Sequence, residues 1–550
     1  MGWGSDFIAA LSQSSIVPIY ELEFLDLPNS FSGGFTLNGH SGQARIGDSS
    51  PRVYGTSVIP GRWNVSFGGF DVDIVGDLRP YSARMSKGIF AVLRCAIRGS
   101  GGTSPFEIIG YGQLYAISGG RETFTLRFRD LLSAFQTSSS SVIIGSVHDT
   151  DRTYPEFRMF TNAGRSAQLT SSWNGSDLFL DVDNVTFFEK QSTVNGVLKA
   201  ENIASGQSFY LQWSGITVTS APAGRITLAS AVAAYPSANA SGALSTGITN
   251  SKITNCTRLV GHPQSILHKI LISTGDNNPA GAGSHGPNDL YPLTWSAGGG
   301  FDPDIYDSAD AKTMLEYVRI QSGGNYQWEL IIDSAPSDGL RYLTNLSSKT
   351  GQWPVWRQGA VSWRAAIDPT GIRCFQQPII ATSLYDYDII SISKHDWYSG
   401  DVNQVYSSLR TVNTKDWASG AYSSASSATT ITVNEVQALP AGATKEIDLS
   451  LIYRNGPPTY NPSDMASSDR TRMKGWDGYI HEKLVLRTKL KYAVLCAGDI
   501  IEVTSAFIYG RDEGPGATYA TKRAMVTGVD FAISDQSCTL TLAVLPERYL

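Results

Sequence analysis

Phe106–Arg129 reads FEIIGYGQLYAISGGRETFTLRFR. In its second half Phe124, Leu126 and Phe128 alternate with Thr125, Arg127 and Arg129, the period of a strand with one buried face. The first half, Phe106–Ser118, is also strand-like, and Gly119-Gly120 separates the two. Two such runs around a Gly-Gly pair predict a β-hairpin. The other end of the chain carries the same pattern. Met525–Ile533 (MVTGVDFAI) and Cys538–Leu545 (CTLTLAVL) flank a short polar turn that begins at Ser534. The chain therefore opens and closes with β units, each built on a long hairpin, without a residue-level repeat between them.

Further strands are expected at Ile19–Leu25, Gly88–Ile97, Asp177–Phe188, Gln207–Thr217, Tyr326–Asp333, Ala360–Ala366 and Gly498–Thr504. Leu484–Cys496 (LVLRTKLKYAVLC) is ambiguous between helix and strand. Two helices are expected in the middle. His262–Thr274 has Ile266, Ile270 and Leu271 at helical spacing, with Pro263 at its start and Gly275 beyond its end. Ser308–Ser322 has Ser308 as N-cap and Met314, Leu315 and Val318 on one face. This divides the chain into a first β unit (1–141), a β-rich elaboration of it (142–260), a mixed α+β unit (261–380) and a last β unit (381–550). Residues 418–430 read as an exposed loop.

Composition narrows the function. Lys and Arg number 43 against 49 Asp and Glu, a net charge of −6 over 550 residues. That excludes a protein gripping DNA phosphates through a large basic surface. Charged residues are 17% of the chain, below the ~25% usual in soluble domains. So little charge suits a chain whose surface is covered by partners. Cys95, Cys256, Cys374, Cys496 and Cys538 show no C-x-x-C spacing and are expected as packed free thiols. The start, MGWGSDFIAALSQSS, is neither a signal peptide nor a myristoylation site, and no apolar run is long enough to span a membrane.

Chemical motifs are sparse. Ser348-Lys349-Thr350-Gly351 lacks the glycine lead-in of a phosphate-binding loop. Gly39-His40-Ser41-Gly42 has the wrong spacing for a nucleophile elbow. Asp302, Asp304, Asp307 and Asp310 crowd one stretch and leave ion binding open, although a helix start, with Asp307 and Asp310 serving cap and dipole, suits them better. Asp386 and Asp388, with His395-Asp396, can be drawn as an acid/base set on one strand face. A solvated strand face is the favoured reading. Trp353, Trp356 and Trp363, beside Arg357 and Arg364, suit core packing or a protein interface better than stacking on sugars or bases. The histidines form no ligand spacing. No catalytic, cofactor or metal residue is assigned, and no enzymatic activity is expected.

The order of these elements resembles the tail hub (baseplate hub) proteins of tailed bacteriophages. Phe106–Phe135 resembles the hairpin of the first hub barrel, running into Asp130-Leu131-Leu132. His262–Gly275 resembles the helix opening the middle domain, and Met314–Arg364, ending in RQGAVSWR, the unit after it. Asp388–Leu409 resembles the return into the second barrel. Ala497–Thr504 (AGDIIEVT), the GPG at 514–516 and the closing hairpin resemble its end. Residues 142–260 and 418–444 fit least well.

The resemblance implies a mainly β fold with a smaller α+β part, two hub-type β-barrel domains flanking a mixed domain. It implies a homotrimer in the virion tail tip, assembled in the host cytoplasm. Two barrels per chain would then make a pseudo-six-fold ring joining a six-fold tail tube to a three-fold tip. The implied partners are the distal tail protein or tail tube, the tape measure protein, a central fibre or spike, and double-stranded DNA in transit during ejection. The alternative is a carbohydrate- or receptor-binding tail tip protein serving host attachment. Neither the iron–sulfur site nor the wall-degrading domain of some hubs is carried over, because neither signature is present.

Overall fold

The computed structural model describes residues within 2–24, 35–38, 44–47, 51–77, 89–132, 162–190, 194–230, 251–267, 306–313, 328–366, 380–399, 406–415, 422–430, 444–448, 476–508 and 519–545, apart from short gaps inside some of these ranges. The described chain is mainly β.

The first unit begins with a short helix, α1 (Ser5–Leu11), whose Phe7, Ala10 and Leu11 are buried. The longer strands and the sheet-joining ones that follow are β1 (Val17–Phe24), β2 (Phe35–Asn38), β3 (Ala44–Ile46), β4 (Arg52–Tyr54), β5 (Gly69–Gly76), β6 (Phe90–Gly99), β7 (Glu107–Gly119) and β8 (Thr123–Asp130), with three short strands of two or three residues, 57–59, 64–66 and 102–103, between them. The expected hairpin is β7–β8, in antiparallel register from Gly112↔Asp130 to Gly119↔Phe124. Gly120 N–H closes it on Thr123 O at 3.0 Å. Gly119 sits at φ +144°, where a Cβ would meet Thr123 O at 2.3 Å, so the turn needs glycine there. The alternation works as read: Leu126 and Phe128 are buried, and Phe128 stacks on Phe70 at 4.4 Å.

The last unit holds β18 (Ile380–Tyr385), β19 (Ile389–Ser399), β20 (His481–Lys489), β21 (Ile500–Ser505), β22 (Tyr519–Ala532) and β23 (Ser537–Val544). β22–β23 is the second expected hairpin. The ambiguous LVLRTKLKYAVLC splits: its first part belongs to β20, and Leu490–Val494 is a 3-10 turn. The strand's alternation stops where buried Leu490, Tyr492 and Ala493 must face inward in quick succession.

The expectation of two separate barrels meets a difference here. Among the described residues no sheet closes on itself. Fifteen strands instead form one sheet, with the main path β2-β1-β6-β7-β8-β5-β4-β22-β23-β20-β19. Strand β4 pairs with β5 on one side and β22 on the other, and so fuses the two units. Each unit nevertheless curls toward closure. β3 pairs with β5 and lies beside β2, the far end of the first unit's path. In the last unit the path runs β18-β21-β22-β23-β20-β19, and its end strands are joined by the turn Asp386–Asp388.

Between these lies a second sheet: β9 (Ser166–Gln168), β10 (Phe179–Val182), β11 (Gly196–Asn202), β12 (Ser208–Ser220), β13 (Ala223–Leu228) and β14 (Ser251–Gly261). Strand β15 (Trp328–Ile332), from the stretch read as mixed, pairs with β14. The next element is a helix that the sequence reading did not anticipate, α2 (Gly339–Thr350), burying Leu343 and Leu346. The hairpin β16 (Gln352–Arg357) and β17 (Ala360–Ala365) follows it, and this hairpin is buried nearly throughout. Of the two expected helices only parts are described. Pro263, Ile266 and Leu267 are helical, as are residues 309–311 and 313; the remainder, including Ser308, lies outside the described residues.

One buried carboxylate gives the first unit a pH response. Asp130, at the end of β8, is 3% exposed and accepts Leu132 N–H at 2.7 Å. Burial pushes its carboxyl up to about 7, against which the Leu132 hydrogen bond works. An unfolded aspartate titrates near ~3.9. The neutral form therefore suits the fold. Its stability contribution is full below about pH 4 and is lost as pH rises through 7. Asp130→Asn keeps an acceptor for Leu132 and removes the charge. The variant's thermal midpoint should gain on the wild type from pH 4 to 7 and level off above. The underlying slope is at most about 1.4 kcal/mol per pH unit. A difference that is flat across this range would discount the buried charge.

Candidate functional site

A largely buried set of charged side chains joins the middle and last units. Asp307 starts the helical residues 309–311 as an N-cap: its Oδ1 accepts Asp310 N–H at 3.1 Å, and its carbonyl accepts Ala311 N–H. Asp310 then turns inward. Its carboxylate receives Arg364 Nη1 at 2.6 Å, Arg357 Nη1 at 3.0 Å and the Ser362 hydroxyl. Arg364, 1% exposed, also donates from Nε to Asp499 Oδ1 at 3.1 Å. The other oxygen of Asp499 accepts Cys496 N–H at 2.9 Å. Burial opposes the charge on Asp310, but Arg364 and then Arg357 outweigh it and hold its carboxyl below the usual range.

Backbone shape makes this contact possible. Gly498 has φ +109°, and a Cβ there would lie 2.8 Å from the Arg364 side chain and 3.0 Å from Trp353. The loop 496–499 thus wraps the guanidinium closely, and Trp353 Nε1 donates to Ala497 O at 3.1 Å. Such an array of planar, bidentate donors and satisfied carboxylates is a fastener between elements. It holds no free acid or base for chemistry.

Of the four crowded aspartates, Asp307 caps the helical residues as the helix-start reading expects, Asp310 lies in that first turn but spends its carboxylate on Arg364, Arg357 and Ser362, and Asp302 and Asp304 lie outside the described residues. Trp353 and Trp363 are fully buried and Trp356 is nearly so, which is the core-packing reading. Cys95, Cys256, Cys496 and Cys538 are buried free thiols. Ser348, Lys349 and Thr350 end α2, and the Ser348 and Thr350 hydroxyls donate to carbonyls of their own helix. Phosphate is bound at a helix's N-terminus, not there. Gly39-His40-Ser41-Gly42 lies outside the described residues.

Asp386 and Asp388 require a correction. They lie on a 3-10 turn, not on a strand face, and neither is a freely solvated side chain. Asp386 Oδ2 accepts Ala506 N–H at 2.8 Å. Asp388, 1% exposed, accepts the Tyr492 hydroxyl at 2.7 Å and lies 2.9 Å from Lys491 Nζ. His395 pairs instead with Glu482 on β20, and Asp396 with Lys394. The four do not form one set. Among the described residues no group of three or more His, Cys, Asp or Glu is placed to hold a metal ion, and no helix is long and apolar enough to cross a membrane.

No protein-family model matches the chain, and no curated protein matches it. Solved structures align with it at low similarity. The 43 kDa tail protein of prophage MuSo2 from Shewanella oneidensis is 10% identical over 96% of this chain and 99% of that one, with a TM-score of 0.34. Prophage tail protein gp18 from Listeria monocytogenes EGD-e is 8% identical over 95% and 94% of the two chains, with a TM-score of 0.37. A chain of the half-lidded Francisella PdpA–VgrG complex is 8% identical over 99% of this chain and 60% of that one, with a TM-score of 0.31.

Proposed function

We propose that this chain is a structural protein of a phage tail, the trimeric hub that joins a six-fold tail tube to a three-fold tip. The observation that carries the reading is the pairing of two curled β units. Each is built on a long hairpin, β7–β8 or β22–β23, and β4 locks the two into one sheet. Two similar units per chain, repeated three times, present six quasi-equivalent positions to a six-fold neighbour. The sequence resemblance at the first hairpin, the middle unit and the closing hairpin supports the same assignment.

In this reading the role is mechanical. The distal tail protein or tail tube binds one face of the ring, and a central fibre or spike binds the other. The tape measure protein, and then double-stranded DNA, pass through the middle. Three chains carry a formal charge of about −18. A lumen without net positive charge gives phosphates nothing to condense on, so DNA slides without adhering. The buried fastener at Arg364 fits a part that must bear load rather than turn over substrate.

Light scattering on the full 59.4 kDa chain tests the proposal. A particle of three chains, ring-shaped by negative-stain microscopy, is the expected result. A monomer at micromolar concentration that binds purified host glycan would replace the hub with the adhesin reading.

A further inference from the structure

We infer that the cleft between the outer face of the first unit and helix α2 binds a saccharide. This goes beyond the hub reading and does not depend on it. The cleft measures about 570 Å³, inside the ~300–1,000 Å³ range of small-molecule sites. Strand alternation builds it. Val53, Phe70, Val72, Leu126 and Phe128 point into the core, so Tyr54, Gly69, Asp71, Arg127 and Arg129 point outward. Tyr54 pairs with Gly69, and Gly69 with Arg129, which puts the glycine in the middle of an outward row. At φ +148° a Cβ on Gly69 would run into the Phe128 carbonyl. The row therefore has a gap, and the gap is the floor of the cleft.

The walls combine apolar, aromatic and polar parts. Val65 and Phe67, with Leu340 of α2, form the apolar side. Tyr54 and Tyr115 line the cleft and remain 37% and 38% exposed. The β7–β8 ladder slips at Tyr115, and the Arg129 guanidinium lies over that ring at 5.1 Å. Asp71 and Arg127 are cross-strand neighbours. Burial pushes the Asp71 carboxyl up, and Arg127 works against that. The hydrogen bond Asp71 receives from the Tyr54 hydroxyl is long, 3.4 Å. Asp71 thus has acceptor capacity to spare, and Ser66 adds a hydroxyl to the same wall.

These groups select the ligand class. Asp71 and Arg127 offset each other's charge, and Arg129 is engaged over Tyr115, so the cleft does not ask for a charged ligand. A phosphate or carboxylate would lie beside the Asp71 carboxylate and be repelled. An apolar ligand would bury Asp71 and Arg127 without new hydrogen bonds. Vicinal hydroxyls satisfy both, since each hydroxyl donates and accepts. They give hydrogens to the Asp71 carboxylate and take them from the planar Arg127 fork. The C–H faces of the same sugar ring pack on the tyrosines and on the side made by Val65, Phe67 and Leu340. A saccharide is the ligand that uses every wall.

The test uses the full chain. Glucose, galactose, N-acetylglucosamine and maltose serve as probes, with free glutamate and inorganic phosphate as charged controls. Saturation-transfer NMR detects binding, titration gives the affinity, and light scattering on the same samples reports the assembly state separately. Transfer to the ring protons of at least one sugar is expected. Tyr115→Ala and Asp71→Asn should each weaken that sugar about tenfold. Tyr115→Phe keeps the ring and should bind it as the wild type does. Thermal midpoints establish that the variants fold, and Asp71→Asn, nearly isosteric, carries the test where Tyr115→Ala does not. No transfer to any sugar at about 10 mM overturns the proposal. So does sugar binding that neither variant changes, or binding of glutamate or phosphate in place of the sugars. A trimer without sugar binding keeps the hub and loses the cleft. A monomer whose sugar binding the variants weaken keeps the cleft and loses the hub.

Discussion

Arg364→Met is expected to destabilise the junction between the middle and last units by about 3–5 kcal/mol, the cost of stranding buried charge. The substitution keeps much of the volume but leaves two carboxylates behind. Asp310 retains Arg357, which is 24% exposed and a weaker partner, and Asp499 retains the Cys496 N–H. Arg364→Lys preserves the charge but not the fork that reaches Asp310 from Nη1 and Asp499 from Nε. It should lose an intermediate amount. The pH dependence has a definite sign. In the wild type the Asp310 carboxyl titrates below its unfolded value, so its contribution is present above about pH 4 and disappears as pH falls through the lower folded value. In Arg364→Met, burial is no longer offset and the carboxyl moves up. The gap between the two proteins should be widest at neutral pH and shrink in acid. Urea unfolding followed by tryptophan fluorescence reads this junction, since Trp353 donates to Ala497 within it. A loss below about 1 kcal/mol at pH 7 would mean the pair contributes no more than a surface ion pair.

That network was invisible in the sequence for a simple reason. Arg364 is 54 residues from Asp310 and 135 from Asp499, and local pattern carries no information on such pairs. The strands were legible because their signal is local. Leu126 and Phe128 alternate with charged neighbours, and the fold buries them as the alternation requires. α2 was missed because Leu343 and Leu346 lie among Thr344, Asn345, Ser347 and Ser348, residues that read as turn formers. The Ser347 and Thr350 hydroxyls escape that role by bonding back to Leu343 and Leu346 carbonyls. An i, i+2 spacing puts Asp386 and Asp388 on one face only if the stretch is a strand. At about three residues per turn the rule fails, and the two carboxylates diverge to Ala506 and Tyr492. Trp353, Trp356 and Trp363 illustrate a different limit. A tryptophan is used alike for cores and for surfaces, so sequence could only weigh the options. Burial decides for the core, and with it the part of the sugar-stacking reading that leaned on these rings falls away.

Trp353→Ala should cost about 3–5 kcal/mol from the cavity alone. The ring stacks on Trp63 at 5.4 Å with planes 10° apart, and Trp63 meets Trp476 edge-on at 5.6 Å. All three are at most 1% exposed, so nothing at the site lets solvent fill the gap. The trio brings together the first unit, the β16–β17 hairpin and the segment before β20, the same junction that Arg364 fastens. Phenylalanine variants separate packing from hydrogen bonding. Trp353→Phe strands the Ala497 carbonyl and should lose about 1 kcal/mol beyond its volume term. Trp63 Nε1 has no hydrogen-bond partner, so Trp63→Phe should lose the volume term only. The two rings share one contact, so the double alanine variant should cost less than the sum of the singles, by about 0.5–3 kcal/mol. If the two alanine variants add within about 0.5 kcal/mol, the stacked pair is not a coupled unit, and the three parts of the chain are held by Arg364 and its carboxylates instead.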